Sequence, residues 1–397
     1  MNIISDPNVL GTVLSPEANQ AAALACSNGV LTVDLDALVA NWRKLEKTAV
    51  PAECGAVIKA NAYGCGADPV ARALALAGCK TFFVATVDEA RVVRAAVPSA
   101  AIYVLGGLFQ NCGDAYAKID ARPVIGDLNE LAEWDVFCRS SGWRGGMAIH
   151  IDTGMHRLGL TIADAQGIVP RINAGDHGIT LVMSHLVCAE ALNHALNARQ
   201  LASFRAISSL FSGVPASLAN SSGIFLGPHF QFELVRPGAA LYGINPTPEA
   251  DNPMRPVVDL KARIVQLRTI EKGDTVGYGA TWTARRPTRL AIVAAGYADG
   301  YFRAGGSNDG TRGAGVVVAG KRCPIAGRVS MDLMAVDVTD IEKSAVRRGH
   351  MVTLIGEGIT VDELAHHFGT IGYEVLTSLG PRYARVYKGG AVESDEV

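Results

Sequence analysis

From Leu31 to about Pro246, short apolar runs alternate with stretches whose apolar residues recur at helical spacing. The runs Leu31–Leu35, Gly55–Lys59, Thr81–Thr86, Ala101–Leu105, Arg122–Ile125, Met147–Ile151, Ile179–His185, Ala216–Ala219 and Phe232–Leu234 predict strands. Between them, Asp36–Val50, Ala67–Ala77, Asp88–Val97, Asp127–Ser141 and His194–Phe211 predict helices. The last of these sets Leu196, Leu201, Phe204, Ile207, Leu210 and Phe211 near one helical face. Asp36, Asp88 and Asp127 are expected N-caps, because a short carboxylate accepts from the unpaired amides of a first turn. Repeated strand–helix units predict an α/β fold, either a (β/α)8 TIM-type barrel or a doubly wound parallel sheet. No G-x-G-x-x-G opens the first unit, which argues against a dinucleotide-binding sheet.

The pattern changes after Asn245. Pro246–Pro256 is rich in Pro, Asp and Asn and predicts a linker. Beyond it, Val257–Ile270, Leu290–Ala295, Gly315–Val318, Ala335–Thr339 and Met351–Ile355 are strand-like, separated by glycine turns such as Glu271-Lys272-Gly273-Asp274. One helix, about Val361–Phe368, interrupts them. The expected organisation is an extension over 1–29, a barrel over 30–250 and a C-terminal mostly β domain over 251–397, which suits a chain of 397 residues.

Composition narrows the functional classes. A formal net charge of −2 with no basic block gives no footprint for nucleic acid. No apolar run approaches the length of a membrane span. The start carries Asp6 and Glu17 and no basic segment before an apolar run, so it does not read as a secretory signal. Eight cysteines without a C-x-x-C pair read as reduced thiols of a cytoplasmic protein, and no metal site is expected.

The chemistry is carried by polar residues at strand ends. Lys59, Arg157, His185, Asn220, Ser221 and Arg236 fall at or just beyond the C-terminal ends of predicted strands, the active-site face of a (β/α)8 barrel. Each has a simpler explanation when taken singly. A strand-end lysine is usually solvated, His185 suits a core, Arg236 suits a surface ion pair, and Asn220-Ser221-Ser222-Gly223 suits a capped turn. Their shared position is harder to explain that way. A lysine there can form a Schiff base with an aldehyde cofactor, with Tyr63 four residues on to reach its phosphate.

Nine motifs occur in order: VIKANAYGCG, DTGMHRLG, Ser184-His185, ANSSG, VRPGAALYG, VGYGATW, GYADGY, GRVSMD and YEVL. From about residue 31 to 388 the chain resembles the fold-type III pyridoxal-phosphate alanine racemases. The resemblance implies a (β/α)8 barrel followed by a β domain, pyridoxal 5'-phosphate as cofactor, and interconversion of L- and D-alanine by two bases. Lys59 would hold the cofactor and serve the D face, and Tyr278 of a partner subunit would serve the L face. Arg157 would activate the tyrosine or hold the substrate carboxylate or the cofactor's phenolic oxygen, with His185 beside the cofactor ring. Arg236 would meet the pyridine nitrogen. Tyr63, Tyr373, Asn220 and Ser221, with the amides of Gly238 and Ala239, would hold the phosphate end. Met331 and Asp332 would meet the substrate carboxylate region, and Tyr297 with Tyr373 would narrow the entry. Because Tyr278, Tyr297, Met331 and Asp332 fall in the second domain, a homodimer with two shared sites is implied. The product would feed peptidoglycan, or the enzyme would be catabolic.

The chain departs from this pattern at His150, where many relatives carry a carbamylated lysine that holds the arginine here numbered Arg157. A bound anion such as chloride, or a carboxylate, is expected to fill that role. His156 stands where glycine is common, and Ser330 where cysteine is. Rival readings are a serine or broader amino-acid racemase, a decarboxylase on the same barrel, and a non-catalytic cofactor carrier. The decarboxylase has no need of Tyr278 opposite Lys59, and the carrier lacks the β domain.

Overall fold

The computed structural model describes residues 24–173 and 178–390, so most of the 1–29 extension lies outside the described residues. The chain divides into two compact units. Among the described residues, one comprises Thr32–Asp259, Ile355–Leu379 and 387–390, and the other is built mainly from Leu260–Leu354 and Gly380–Val386. The division is thus not the linear one expected. The helices Val361–Phe368 and Gly372–Ser378 belong with the barrel, although they follow most of the β unit in sequence.

The first strand, β1 (Gly29–Asp34), does not enter the barrel, contrary to the strand run expected from Leu31. It joins the sheet of the β unit. The barrel is built from β2 (Glu53–Cys54), β3 (Ala56–Val57), β4 (Thr81–Val84), β5 (Ala101–Val104), β6 (Ala121–Ile125), β7 (Met147–His150), β8 (Ile179–Met183), β9 (Ala216–Ser217) and β10 (Leu234–Val235). β3 to β9 form one parallel sheet in sequence order. β10 pairs parallel with β2, which continues through Gly55 into β3. Amides of Glu53, Gly55 and Val57 donate to carbonyls of Glu233, Val235 and Pro237, and the Arg236 amide donates to the Ala219 carbonyl. These bonds close the sheet into an eight-stranded ring with β2 and β3 as one strand.

Val57, Phe83, Tyr103, Val124, Ala148, Leu181, Met183 and Leu234 fill its interior. Seven of the eight strands contribute to this cluster. β9 presents the buried Ser217 instead, and that polar gap is taken up by Arg236.

In the β unit, strands Lys321–Pro324, Gly315–Val318, Met351–Ile355 and Val258–Ile270 are neighbours in that order. Thr288–Val293 pairs antiparallel with both Val258–Ile270 and Met334–Asp337. Val258, Leu260, Ala262 and Ile264 alternate inward, the period-two pattern of a sheet with one buried face.

Candidate active site

Lys59 is not the last residue of a strand as expected. It opens a turn in which Ala60, Asn61, Ala62 and Tyr63 all have φ between 52° and 53°. Four consecutive left-handed residues with side chains cost about 1–2 kcal/mol each, so the turn exists only because its surroundings hold it. The Ala62 amide donates to Ile58 and the Gly64 amide to Ala60, each at 2.9 Å. The Asn61 side chain accepts from the Ala67 amide at 2.8 Å. Gly64 follows at φ 81°, where an added Cβ would sit 2.5 Å from the Leu376 carbonyl oxygen.

This turn delivers Lys59 to a cavity of about 610 Å³ at the C-terminal ends of the barrel strands. Tyr63, Arg157, His185, Asn220, Ser221, Arg236, Gly238, Ala239 and Tyr373 all line it, so ten of the expected residues converge with Lys59 included. His150 lines it as well.

At its floor, buried Arg236 donates to the Ser217 hydroxyl and, at 2.6 Å, to the Ser184 carbonyl. Its guanidinium lies 5.9 Å from the centre of the Phe83 ring. Burial pushes its pKa down to about 9, which leaves it charged at neutral pH. His185 is pushed down to about 3 by burial and then by Arg236 and Arg157, and His150 to about 4 by burial and Arg236. Both imidazoles are therefore neutral at pH 7. Burial also lowers the Lys59 ammonium pKa, with Arg157 acting in the same direction and Glu89 opposing. More of the amine is then in the nucleophilic form.

One wall is a cradle of small groups. The Ser221 hydroxyl accepts from the Gly238 amide at 2.9 Å and the Ala240 amide at 3.2 Å. A Cβ at Gly238 would lie 2.5 Å from the Tyr63 hydroxyl, so only glycine allows this approach. The Tyr63 ring stacks on Tyr242 at 4.6 Å between centroids and meets the edge of Tyr373 at 6.4 Å. Burial pushes the Tyr63 hydroxyl up to about 12, which fits it to donate rather than to ionise. Tyr373 comes from the helix Gly372–Ser378, which was not foreseen, and its hydroxyl donates to Glu190 at 2.9 Å.

Arg157 is exposed on the loop after β7 and has no hydrogen-bond or ion-pair partner among the described residues. That loop is organised by Asp152, whose Oδ1 accepts from the Gly154 and Met155 amides, each at 2.9 Å. The His156 ring lies 3.1 Å from the same carboxylate, with its backbone at φ 55°. Gln200, fully buried and missed from sequence, braces two loops. It donates to Thr153 at 3.2 Å and to the His185 carbonyl at 2.9 Å, and accepts from Val187 at 2.9 Å. A buried glutamine on a helical face gives no sequence signal beyond its poor fit to a core.

Tyr278, Tyr297, Met331 and Asp332 lie in the β unit and do not line this cavity. Tyr278 is 72% exposed, on the turn between Thr275–Val276 and Trp282–Thr283. Tyr297 and Met331 are exposed too, on loops docked to each other: the Tyr297 amide donates to Ser330 and the Ala298 amide to Met331. Arg382 ties both loops, with Nε 2.7 Å from fully buried Asp299 and Nη1 2.7 Å from Asp332. No described group of His, Cys, Asp or Glu is arranged to hold a metal ion, and no described helix is long and apolar enough to cross a membrane.

Residues 33–246 match the family model "Alanine racemase, N-terminal domain", and residues 257–387 match "Alanine racemase, C-terminal domain". The chain is 53% identical to an alanine racemase of Methylobacterium nodulans over 91% of its own length and 96% of that protein's. Other relatives are named both as biosynthetic and as catabolic alanine racemases. Among solved structures, an alanine racemase from Bartonella henselae with covalently bound pyridoxal phosphate superposes with a TM-score of 0.85. It is 38% identical and covers 91% of this chain and all of its own.

Proposed function

The chain belongs to the alanine racemase family, and from that premise we propose that it interconverts L- and D-alanine by a two-base route in which Lys59 serves one face of the α-carbon and Tyr278 the other. The observation that carries this reading is the convergence of a half-buried lysine, a buried guanidinium and a glycine cradle on one cavity.

That set fits pyridoxal phosphate. Lys59 offers an amine for its aldehyde, Arg236 a donor for its ring nitrogen, and Ser221 and Tyr63 hydroxyls at the close backbone of Gly238 and Ala239 suit a phosphate. Asn220 and Tyr373 complete the lining. Bound there, the cofactor would draw electrons from the α-carbon of the amino acid and make its proton acidic.

The protein's own residues do the rest. Lys59, with its lowered proton affinity, holds the cofactor and takes or returns a proton on the D face. Arg236 stays charged at neutral pH and would keep its proton rather than give it to the ring nitrogen, which would restrain electron withdrawal and favour prompt reprotonation over side reactions. Neutral His185, which lines the same cavity, would add no positive charge beside the cofactor. Arg157, unpartnered among the described residues, is available for the substrate carboxylate or the cofactor's phenolic oxygen.

Tyr278 reaches the L face from a second copy of the chain, bringing Tyr297, Met331 and Asp332 with it. Its exposure supports that assignment, since a tyrosine presented on a turn suits a surface that another copy covers. In place of a carbamylated lysine, a small anion such as chloride sits by His150 and Arg157. Support comes from the neutrality of His150, which supplies no charge to hold the arginine.

The test is proton NMR with pyridoxal phosphate and L-alanine in heavy water, with chiral analysis of the product. D-alanine bearing α-deuterium is the expected result. Absence of both, with the cofactor trapped at Lys59, would redirect the search to serine and to decarboxylation. Sedimentation giving an active monomer would remove the shared site, and activity indifferent to halide and bicarbonate would remove the anion.

A further inference from the structure

We propose that Glu89 is a positioning residue for Lys59: its carboxylate ties the left-handed turn that presents the lysine to the end of the neighbouring barrel strand. This rests on the reading of Lys59 as the cofactor-holding residue.

Glu89 is the third residue after Thr86, the N-cap of the helix Val87–Ala96. In the usual S/T-x-x-E box the glutamate reaches back to the amide of the cap residue itself. Here it does something else. Thr86 accepts from the Glu89 amide at 3.3 Å, but the Glu89 carboxylate passes the cap and accepts from the Ala85 amide at 2.8 Å. Its other oxygen accepts from the Ala60 amide at 2.6 Å. Ala60 is the first left-handed residue of the strained turn and immediately follows Lys59. Ala60 and Ala85 both line the cavity. One carboxylate therefore holds two amides of the cavity wall through charge-assisted bonds, the stronger kind.

The same device recurs two repeats further on, and this separates architecture from function. Glu130 is the third residue after the N-cap Asp127. It accepts from the Gly126 amide, one residue before the cap, at 2.9 Å, and from the Leu108 amide of the preceding loop. Each glutamate thus stitches its own unit to the loop of the unit before. Only in the first case does the stitch land beside a reactive side chain.

The charge has a second consequence. Arg157 from the loop after β7 and His185 beyond β8 act on the Lys59 amine, and Tyr63 on its own turn and Glu374 from the helix Gly372–Ser378 line the same cavity. Glu89 opposes burial and Arg157 by favouring the protonated nitrogen. A glutamine at 89 keeps one accepting oxygen but neither the second nor the charge.

The experiment compares holoenzymes carrying Glu89→Gln, Glu89→Asp and, as the architectural control, Glu130→Gln. Three quantities are read: the pH midpoint of the visible absorption band of the bound cofactor, the rate of cofactor loss on dialysis, and kcat against KM. Glu89→Gln is expected to move the midpoint to lower pH, to speed cofactor loss roughly tenfold and to lower kcat more than it raises KM. Glu89→Asp, which keeps the charge on a shorter arm, is expected to lose cofactor faster with a midpoint close to the parent's. Glu130→Gln is expected to lower the melting temperature while leaving midpoint and cofactor retention at the parent values. An unchanged midpoint and unchanged retention in a folded Glu89→Gln protein would overturn the proposal. So would equal spectral shifts in Glu89→Gln and Glu130→Gln. Borohydride trapping of the cofactor on a lysine other than Lys59 would overturn the reading beneath it, and the proposal with it.

Discussion

Replacing Gly238 with alanine isolates the cradle from every other part of the site. Its φ of −125° is negative, so the substitution brings no left-handed strain, and the crowding around the new Cβ is its main effect. The new Cβ would stand 2.5 Å from the Tyr63 hydroxyl oxygen, 3.2 Å from its ring carbon and 3.3 Å from the Val57 Cβ. Against an ordinary carbon contact of about 3.5 Å, the hydroxyl is too near by about 1 Å. Tyr63 cannot swing aside cheaply, because its ring is stacked on Tyr242 and bounded by Tyr373. Overpacking of this kind costs about 1–3 kcal/mol, here divided between a lower melting temperature and weaker cofactor binding. If binding bears most of it, affinity for pyridoxal phosphate falls roughly five- to a hundredfold. Absorbance titration of the cofactor-free enzyme and thermal melts read the two parts. Adding Tyr63→Phe removes the nearest clashing atom, so the double variant regains part of the lost melting temperature while affinity stays low for want of the hydroxyl. Parent-like melting and affinity in Gly238→Ala would refute the cradle argument.

Three further outcomes are expected. Tyr278→Phe folds and binds cofactor as the parent does but loses α-deuterium exchange from L-alanine far more than from D-alanine, and equal losses would count against two bases. Arg236→Glu raises the share of turnovers ending in transamination, read as pyruvate formed per D-alanine, and an unchanged ratio would remove the role given to the guanidinium. Acid stability follows from the histidines. His150 and His185 are pushed from 6.5 to about 4 and about 3 by burial, so between those values and 6.5 the unfolded chain binds more protons than the folded one. Their contribution is complete above pH 6.5 and is lost as pH falls through about 4 for His150 and about 3 for His185, and His150→Asn should flatten the pH 7 to pH 4 part of a urea-unfolding series.

Much of this molecule was legible because its chemistry follows its periodicity. The parallel strands were readable as apolar runs, and the polar residues just beyond them marked one face. The N-caps show where such reading fails. Asp127 caps its helix as expected, but Asp36 and Asp88 sit two residues inside helices capped by Asp34 and Thr86. A carboxylate in the first turn is favoured by the helix dipole as well as by capping, so sequence alone does not separate the two. The left-handed turn was invisible for a different reason. Ala60, Ala62 and Tyr63 have no taste for positive φ, and only the tethers around them impose it. The assignment of Ile355–Leu379 to the barrel unit was also out of reach, because a linear reading attaches each helix to the strands it follows.

That turn has a consequence for anyone who wishes to evolve a hardier enzyme. Elsewhere in a protein, exchanging glycine for alanine is a dependable route to heat resistance. At Ala60 and Ala62 the rule runs backwards, since glycine would relieve a conformation that alanine resists. The substitutions most readily selected for durability therefore sit beside the lysine on which turnover depends. A screen for thermal survival alone will drift towards proteins that endure longer and racemise less.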